Sequence, residues 1–299
     1  MSNIPFKREL SFEYGKPADI SPLIRRVVAK NPSMFTLHGT GTYIIGRDKV
    51  AIIDPGPDLP EHVSALLSAV QNETVTDIVI THTHIDHSPA ARAVKAATGA
   101  KTWGFGPHGT SSNGPEVEEG ADREFVPDQE LGDGNIVAGK GWTLEAIHTP
   151  GHTSNHLCLA LQEENVMFSG DHVMGWSTSV ISPPDGNMGD YLASLEKLTT
   201  REEVRYWPTH GPAIENPRPF VHAFISHREK RETQISECLA AGRTNITDIV
   251  KDLYAGVDSR LHRAAARSVL AHLIHMVESG RAKCDGVPHI DGIYHSLKS

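Results

Sequence analysis

The feature that most restricts how this chain can fold is the run THTHIDH, which follows a short apolar segment. Three histidines and one aspartate, His82, His84, Asp86 and His87, lie within six consecutive positions of that run. Imidazole and carboxylate groups are costly to bury without partners, but both are good ligands for a divalent metal ion. We therefore expect a fold that brings further metal ligands to the end of the strand preceding this run.

The spacing within the run suggests two metal positions. Alternate residues of an extended chain point the same way, so His82 and His84 can reach one ion. The turn that follows carries Asp86 and His87 toward a second position. Each zinc ion takes about four ligands, so other segments must contribute. Three further candidates each lie beside glycine or proline, where the chain can turn sharply at a sheet edge: His152 in HTPGHT, Asp171 in FSGD and His210 in PTHGP.

Short strand-like segments alternate with helical ones, which favours an α/β sandwich. Residues 41–57 predict a hairpin around Gly46, Arg47 and Asp48, and further strands are expected at 76–82, 142–152, 156–161, 165–171 and 204–211. Helices are expected at 59–73 and 191–199, and a third is expected with Ser88 as N-cap, Pro89 at its first position, and Gly99 at its end. Residues 104–122 and 182–190 predict loops, either bordering a substrate site or serving as plain surface connections.

The character of the sequence changes after about residue 220. A long helix is predicted near 218–242, followed by two more, the first with Asn245 as N-cap. A β-ribbon around Gly286 or Gly292 closes the chain. We therefore predict two domains, a catalytic domain at 1–221 and a mostly helical, winged-helix-like domain at 222–299.

Composition limits the functional classes. The chain has 299 residues and a formal net charge of −9, so its overall charge does not favour nucleic-acid binding. Its cysteines, Cys158, Cys238 and Cys284, are far apart, which fits a reducing compartment. The N-terminus lacks the apolar run of a signal peptide, and no segment approaches the ~18 apolar residues of a membrane helix. We predict a cytoplasmic protein without a membrane partner.

The ordered set THTHIDH, HTPGHT, SGD and PTHGP, preceded by IIDPGP, resembles the metallo-β-lactamase superfamily over residues 35–215. The resemblance implies an αββα sandwich with two metal ions at one edge, zinc being expected and iron or manganese possible. It also implies that Asp54 supports the metal loop from behind without binding metal. The implied ligands are His82, His84 and His152 for the first ion, Asp86, His87 and His210 for the second, and Asp171 bridging both.

Two ions about 3.5–4 Å apart can share a bridging water and lower its pKa toward ~7. The resulting hydroxide is the predicted nucleophile, and the metals would stabilise the negative charge that develops. Asp86 is the predicted catalytic residue, which would orient the attacking water. An ester, thioester, amide or phosphodiester would each suit this arrangement, so the site predicts the reaction type but leaves the substrate open.

Resemblance to individual branches gives several hypotheses for the substrate. True β-lactamases of the superfamily usually carry Cys or Ser where this chain has Asp171. Residues 170–198 and the helix SHREKRETQI (226–235) instead resemble the lactamase-β-like 2 group, whose mitochondrial animal member cuts single-stranded RNA. The glyoxalase II branch, a thioesterase, is the second choice, although its C-terminal glutathione-binding basic motif is not evident. β-Lactamase activity and an iron-dependent persulfide dioxygenase rank below these.

The predicted partners follow from the same alternatives: a small-molecule ester or thioester, or RNA. Four residues, which we expect on the last long helix, are candidate phosphate contacts, with a solvated helix face as the alternative: Arg260, His262, Arg263 and Arg267. The tail could equally serve a homodimer. A non-catalytic binding module is disfavoured by the complete ligand set. His148, His156 and His172 lie beside the motifs and are expected to have supporting roles.

Overall fold

The centre of the computed structural model, which describes residues 4–109, 120–256 and 258–297, is a pair of stacked β-sheets. The first sheet runs in sequence order and is antiparallel up to its fourth strand and parallel from there on. Its strands are β1 (Ala18–Asp19), β2 (Ile24–Val28), β3 (Gly41–Ile45), β4 (Lys49–Ile53), β5 (Thr74–Val79), β6 (Lys101–Gly104) and β7 (Gln129–Glu130).

The second sheet has six strands, and all of its neighbouring pairs are antiparallel except one. Its strands are β8 (Ile136–Gly139), β9 (Trp142–His148), β10 (Leu157–Leu161), β11 (Val166–Gly170), β12 (Arg205–Pro208) and β13 (Ile214–Glu215). The strand order is β13-β12-β11-β10-β9-β8, and β11 and β12 form the parallel pair. The loops after β11 and β12 therefore leave the sheet at the same edge.

Two helices cover the outer face of each sheet. Helices α1 (Pro60–Ala69) and α2 (Ala91–Thr98) pack on the first sheet, and α3 (Met188–Thr199) and α4 (Pro217–Ala240) pack on the second. All five residues of β3, β10 and β11 are buried, as expected for strands covered on both faces. The core between the sheets includes Tyr43, Ile53, Val79, Leu144, Leu157, Leu159 and Phe168. This arrangement is the predicted αββα sandwich.

A separate small core follows the sandwich. It joins the second half of α4 to α5 (Ile246–Leu253), α6 (His262–Glu278) and a ribbon of β14 (Ala282–Cys284) and β15 (Tyr294–Ser296). The predicted N-cap is confirmed, because the Asn245 side chain accepts a hydrogen bond from the Asp248 amide. The ribbon loop contains both candidate turn glycines.

Helix α4 continues through the predicted domain boundary between residues 221 and 222. Its first half contributes Phe220 and Phe224 to the core behind the second sheet, and its second half contributes Ile235 and Leu239 to the small core. The boundary stays a prediction, but one helix is shared by both cores.

Several local predictions were wrong in detail. Ser88 does not cap α2, because its hydroxyl donates to Asp122 Oδ2 at 2.8 Å and the helix begins at residue 91. Strand β5 ends at residue 79, so the histidine run lies in the loop beyond it. Helix α3 begins three residues early, capped by Asn187. Arg260 lies in a short 3-10 turn before α6, not on that helix.

Among the helices in the described ranges, none combines the length and apolar character needed to cross a bilayer. Of the predicted 104–122 loop, residues 110–119 lie outside the described residues.

Candidate metal centre

The structure brings all seven predicted ligands together at one edge of the sandwich, each on a loop that follows a strand. The loop after β5 carries four of them, His82, His84, Asp86 and His87. The turn in this loop places the last two at the second predicted metal position. The loops after β9, β11 and β12 supply one each. These residues form three overlapping groups whose ligand atoms lie within 4.8 Å of one another: His82, His84 and His152; His82, His87 and Asp171; and Asp86, His87 and His210.

The first ligand group is His82, His84 and His152. His82 Nε2 lies 3.0 Å from His84 Nδ1, and His152 Nε2 lies 3.1 Å from the same atom. Two nitrogens bound to one tetrahedral zinc at 2.0–2.1 Å are about 3.3 Å apart. The three nitrogens therefore have nearly the spacing that a shared zinc ion requires.

The second ligand group is Asp86, His87 and His210. His210 Nε2 lies 3.1 Å from Asp86 Oδ2, and His87 Nε2 lies 3.6 Å from Asp86 Oδ1. Asp171 lies between the two groups, with its Oδ2 3.8 Å from His152 Nε2, 3.6 Å from His87 Nε2 and 3.4 Å from His210 Nε2. That position agrees with the bridging role implied by the resemblance.

Gly170 explains how Asp171 reaches this position. Its backbone has φ +52°, and a Cβ built there would lie only 2.5 Å from His156 Nε2, so any other residue would be strained and in collision. His156 Nε2 accepts a hydrogen bond from the Asp171 amide at 3.2 Å, and its Nδ1 lies 2.9 Å from Thr149 Oγ1. His156 therefore supports the segment that presents Asp171.

Asp54 lies behind the second ligand group, as the resemblance implied. Its Oδ2 is 2.9 Å from His87 Nδ1 and accepts hydrogen bonds from the hydroxyls of Thr81 and Thr209 at 2.7 and 3.1 Å. The Thr81 amide donates to Oδ1 at 2.8 Å. These contacts fix the His87 ring with Nε2 facing the site.

Sequence reasoning missed these two threonines, although each directly precedes a ligand histidine, in THTH and PTH. It also missed two backbone acceptors. Val180 O lies 2.6 Å from His152 Nδ1, and Gly39 O lies 3.2 Å from His210 Nδ1. Every residue has a backbone carbonyl, so the residue types in a sequence do not show which carbonyl will accept a hydrogen bond.

The donor set fits divalent ions. His87 Nε2 and Asp171 Oδ1 are buried and have no hydrogen-bond partner in the described part of the chain, which is costly unless something else binds them. Burial and neighbouring histidines hold the pKa of His82 well below its usual range. Burial, together with His152, does the same to the pKa of His84. Both rings are therefore neutral at pH 7, the form that binds a metal.

In the second ligand group, charged neighbours together affect the pKa values more strongly than burial does. Burial opposes ionisation of Asp86, but His87 and His210 outweigh it and lower its pKa to about 2. Burial also opposes charge on His210, yet Asp171 and Asp86 raise its pKa to about 10. A metal ion there must displace a proton from His210, while Asp86 is a carboxylate throughout the neutral range.

A cavity of about 190 Å³ opens onto both ligand groups. Apart from the five candidate ligands, its described lining consists of six apolar and five uncharged polar residues, and none is Lys or Arg. The apolar lining residues are Met34, Phe35, Ile85, Met174, Trp176 and Val180. The cavity therefore suits an uncharged, apolar group beside the ligand cluster.

Other residues near the site form a network that sequence reasoning did not find. Asp185 accepts hydrogen bonds from the Ser154 hydroxyl and amide at 2.7 and 3.1 Å. His108 Nδ1 lies 3.0 Å from Thr83 Oγ1, which also accepts a hydrogen bond from Asn155 at 2.9 Å. These contacts tie the loops around His152 and Asp185 to the histidine run. Both predicted loop regions thus border the site in part.

The sequence profile of the metallo-β-lactamase superfamily matches residues 36–210, which include every candidate ligand. The chain belongs to the metallo-β-lactamase superfamily. A second profile, the β-lactamase-associated winged helix domain, matches residues 246–287. The predicted fold, a metallo-β-lactamase sandwich followed by a winged-helix domain, is confirmed.

Individual relatives agree with this assignment. A "Beta-lactamase-like protein 2 homolog" of Caenorhabditis elegans is 34% identical over 267 residues, covering 87% of this chain and 86% of the relative. An "Atrochrysone carboxyl ACP thioesterase" of Claviceps purpurea is 28% identical, covering 79% and 73%. A crystal structure of a "Beta-lactamase domain protein" from Burkholderia ambifaria superimposes with a TM-score of 0.78 at 19% identity, covering 95% and 94% of the two chains. The predicted lactamase-β-like 2 branch is confirmed, and the chain is a metallo-β-lactamase superfamily hydrolase.

Proposed function

We propose that this hydrolase holds two zinc ions and cleaves thioesters whose acyl group is apolar. The observation that carries the substrate class is the cavity beside the ligand cluster, whose described lining adds six apolar and five uncharged polar residues to the ligands and contains no Lys or Arg. An acyl chain bound there would bury apolar surface, which contributes a favourable free energy of about 25 cal/mol per Å². The thioesterase among its relatives supports the same class of bond.

When held by the seven candidate ligands, the two ions would make hydroxide available near neutral pH and stabilise the negative charge of the transition state. The chain's own residues would position the reactants. The apolar walls would hold the acyl group and exclude bulk water. Asp86 would orient the attacking hydroxide. The hydroxide oxygen would bond to the thioester carbonyl carbon as the C–S bond breaks, and the departing thiolate would take the proton of the new carboxylic acid, which leaves as a carboxylate.

Cleavage of single-stranded RNA is the second candidate. It follows from the resemblance of residues 170–198 and 226–235 to a group with an RNA-cutting member, and the half-buried Phe35 at the cavity could stack a base. Flanking phosphates, however, require cationic contacts. The described cavity lining provides none, and Arg260, one of the four predicted phosphate contacts, is paired with Asp258 at 2.7 Å.

A glutathione thioester, the substrate class of the glyoxalase II branch, carries two carboxylates. These carboxylates would also need cationic contacts, and the described cavity lining contains no Lys or Arg to bind them.

The test compares three substrates on one zinc-loaded preparation: octanoyl and acetyl thioesters of N-acetylcysteamine, and a labelled single-stranded RNA. We expect kcat/KM for the octanoyl thioester to exceed that for the acetyl thioester by about tenfold or more, because each buried CH₂ contributes about 0.8 kcal/mol. The Asp86→Ala/His87→Ala double variant controls for contaminating hydrolases.

Metal-dependent RNA cleavage with intact thioesters, lost in the double variant, would replace the proposal with the nuclease. Equal rates on both thioesters would contradict the apolar acyl site. Protein purified without added metal that contains one iron and no zinc per chain would favour the dioxygenase alternative.

A further inference from the structure

Helix α4 buries one stripe of residues spaced three or four positions apart, as expected for a helix packed on one face. Two charged residues interrupt this otherwise apolar stripe. Arg228 and Glu232 lie one turn apart and are only 3% and 5% exposed. Residues of opposite charge at this spacing commonly pair with each other.

These two do not pair. Glu232 instead binds the winged-helix part of the chain, through His275 at 2.8 Å, His272 at 3.3 Å and Arg281. Arg228 has no carboxylate within 4.0 Å among the residues that the structure describes. A buried cation without an anionic partner is strongly unfavourable, so its place in the fold requires another explanation.

The contacts of Arg228 lead to the metal centre. Its Nη2 donates a hydrogen bond to Ser179 O, and its guanidinium lies 5.1 Å from the centre of the Tyr191 ring. The next carbonyl along the chain, Val180 O, lies 2.6 Å from Nδ1 of the candidate ligand His152. Two successive carbonyls therefore connect α4 on one side with a metal ligand on the other.

Neighbouring hydrogen bonds hold the same segment. Ser179 Oγ and the Tyr191 hydroxyl both donate to His172 O at 2.8 Å. His172 itself directly follows Asp171 in the chain. Arg228 thus supports a small, buried structure that reaches two of the seven ligands.

We infer that Arg228 is a positioning residue of the metal centre, which fixes the Ser179–Val180 segment so that Val180 O orients the His152 ring. The inference rests on the proposed metal centre. A charged donor forms a stronger hydrogen bond to a carbonyl than a neutral donor does. The partner of the outer ring nitrogen determines which nitrogen faces the metal. This role accounts for the first arginine of SHREKRETQI, a motif that the hydrolytic chemistry leaves unexplained.

The test measures zinc binding by the metal-free protein in competition with a chromophoric chelator. Arg228→Met removes the donor, Arg228→Lys restores a charged donor, and Lys230→Met is the matched control on the exposed face of α4. His152→Ala, run in parallel, identifies the binding phase of the first ligand group. We expect Arg228→Met to weaken that phase by about tenfold, within the 10–100-fold range for residues that orient metal ligands.

The second phase should stay within twofold of wild type, and Arg228→Lys should weaken the first phase less than Arg228→Met does. If Arg228→Met does not fold, Arg228→Lys alone should still show a loss confined to the first phase. A wild-type protein that binds no zinc would refute the proposed centre itself. Wild-type affinities at both phases in Arg228→Met and Arg228→Lys would refute only the role of Arg228. Equal losses at both phases, without recovery by Lys, would also contradict it, because they would indicate a general structural effect.

Discussion

Two buried clusters of histidine and acid in this protein have similar composition but opposite organisation. At the metal centre, ligand nitrogens face one another at 3.0 and 3.1 Å, and the buried His87 Nε2 lacks a hydrogen-bond partner within the described chain. At Glu232, both carboxylate oxygens are bonded, by His275, His272 and Arg281. The first cluster is incomplete without a cation, whereas the carboxylate of the second is already satisfied.

The comparison shows that composition alone does not identify a metal site. What distinguishes the two clusters is whether several ligand atoms converge on one point or whether donors bind both oxygens of a single central carboxylate. We call the second cluster, which consists of Glu232, His272, His275 and Arg281, the Glu232 cluster. Substitutions in the two clusters should therefore affect different properties.

The largest effect is expected from Asp171→Asn at the metal centre. Asparagine keeps the size but removes the charge that lies between both ligand groups. We expect kcat for the thioester to fall by about 10²–10³-fold, the scale of losing one electrostatic contributor, and the zinc content to drop below two ions per chain. Steady-state kinetics and elemental analysis measure both. Wild-type kcat and zinc content would show that Asp171 does not bridge the ions.

Glu232→Gln should change stability instead of metal binding. Breaking one side of a buried ionic cluster costs about 3–5 kcal/mol, and we expect a value near the lower end because Arg281 is 44% exposed. Urea unfolding at pH 7 measures the free energy of unfolding, with Glu237→Gln on the same helix as control. If Glu232→Gln lost zinc but kept the wild-type free energy of unfolding, the Glu232 cluster would be part of the metal site and the proposed distinction between the clusters would be wrong.

A smaller effect is expected from pH, at His272 in the Glu232 cluster. Burial lowers the pKa of this ring to about 4, although Glu232 raises it in part. Between about pH 6.5 and pH 4 the unfolded chain then binds a proton that the folded chain does not, so stability falls as the pH falls. His272→Gln should reduce the slope by at most about 1.4 kcal/mol per pH unit in that window. An unchanged slope would mean that His272 is not held neutral in the folded protein.

The sequence predicted the sandwich and the candidate ligands because these depend on local patterns. The run around His82 and the glycine before Asp171 place polar groups at points where the chain must turn, and the family resemblance supplied their grouping. The order of the strands and the position of α4 across two cores depend on long-range packing, which no local pattern records. For the same reason the contacts of Val180 O with His152, and of Arg228 with Ser179 O, could be found only in the folded structure.

The most direct test of the dinuclear centre is anomalous diffraction at the zinc edge from crystals of the zinc-loaded protein. The account predicts two peaks about 3.5–4 Å apart. One would lie among His82, His84 and His152, the other among Asp86, His87 and His210, with Asp171 between them. A single peak, or a peak at the Glu232 cluster with none at the sandwich edge, would contradict it.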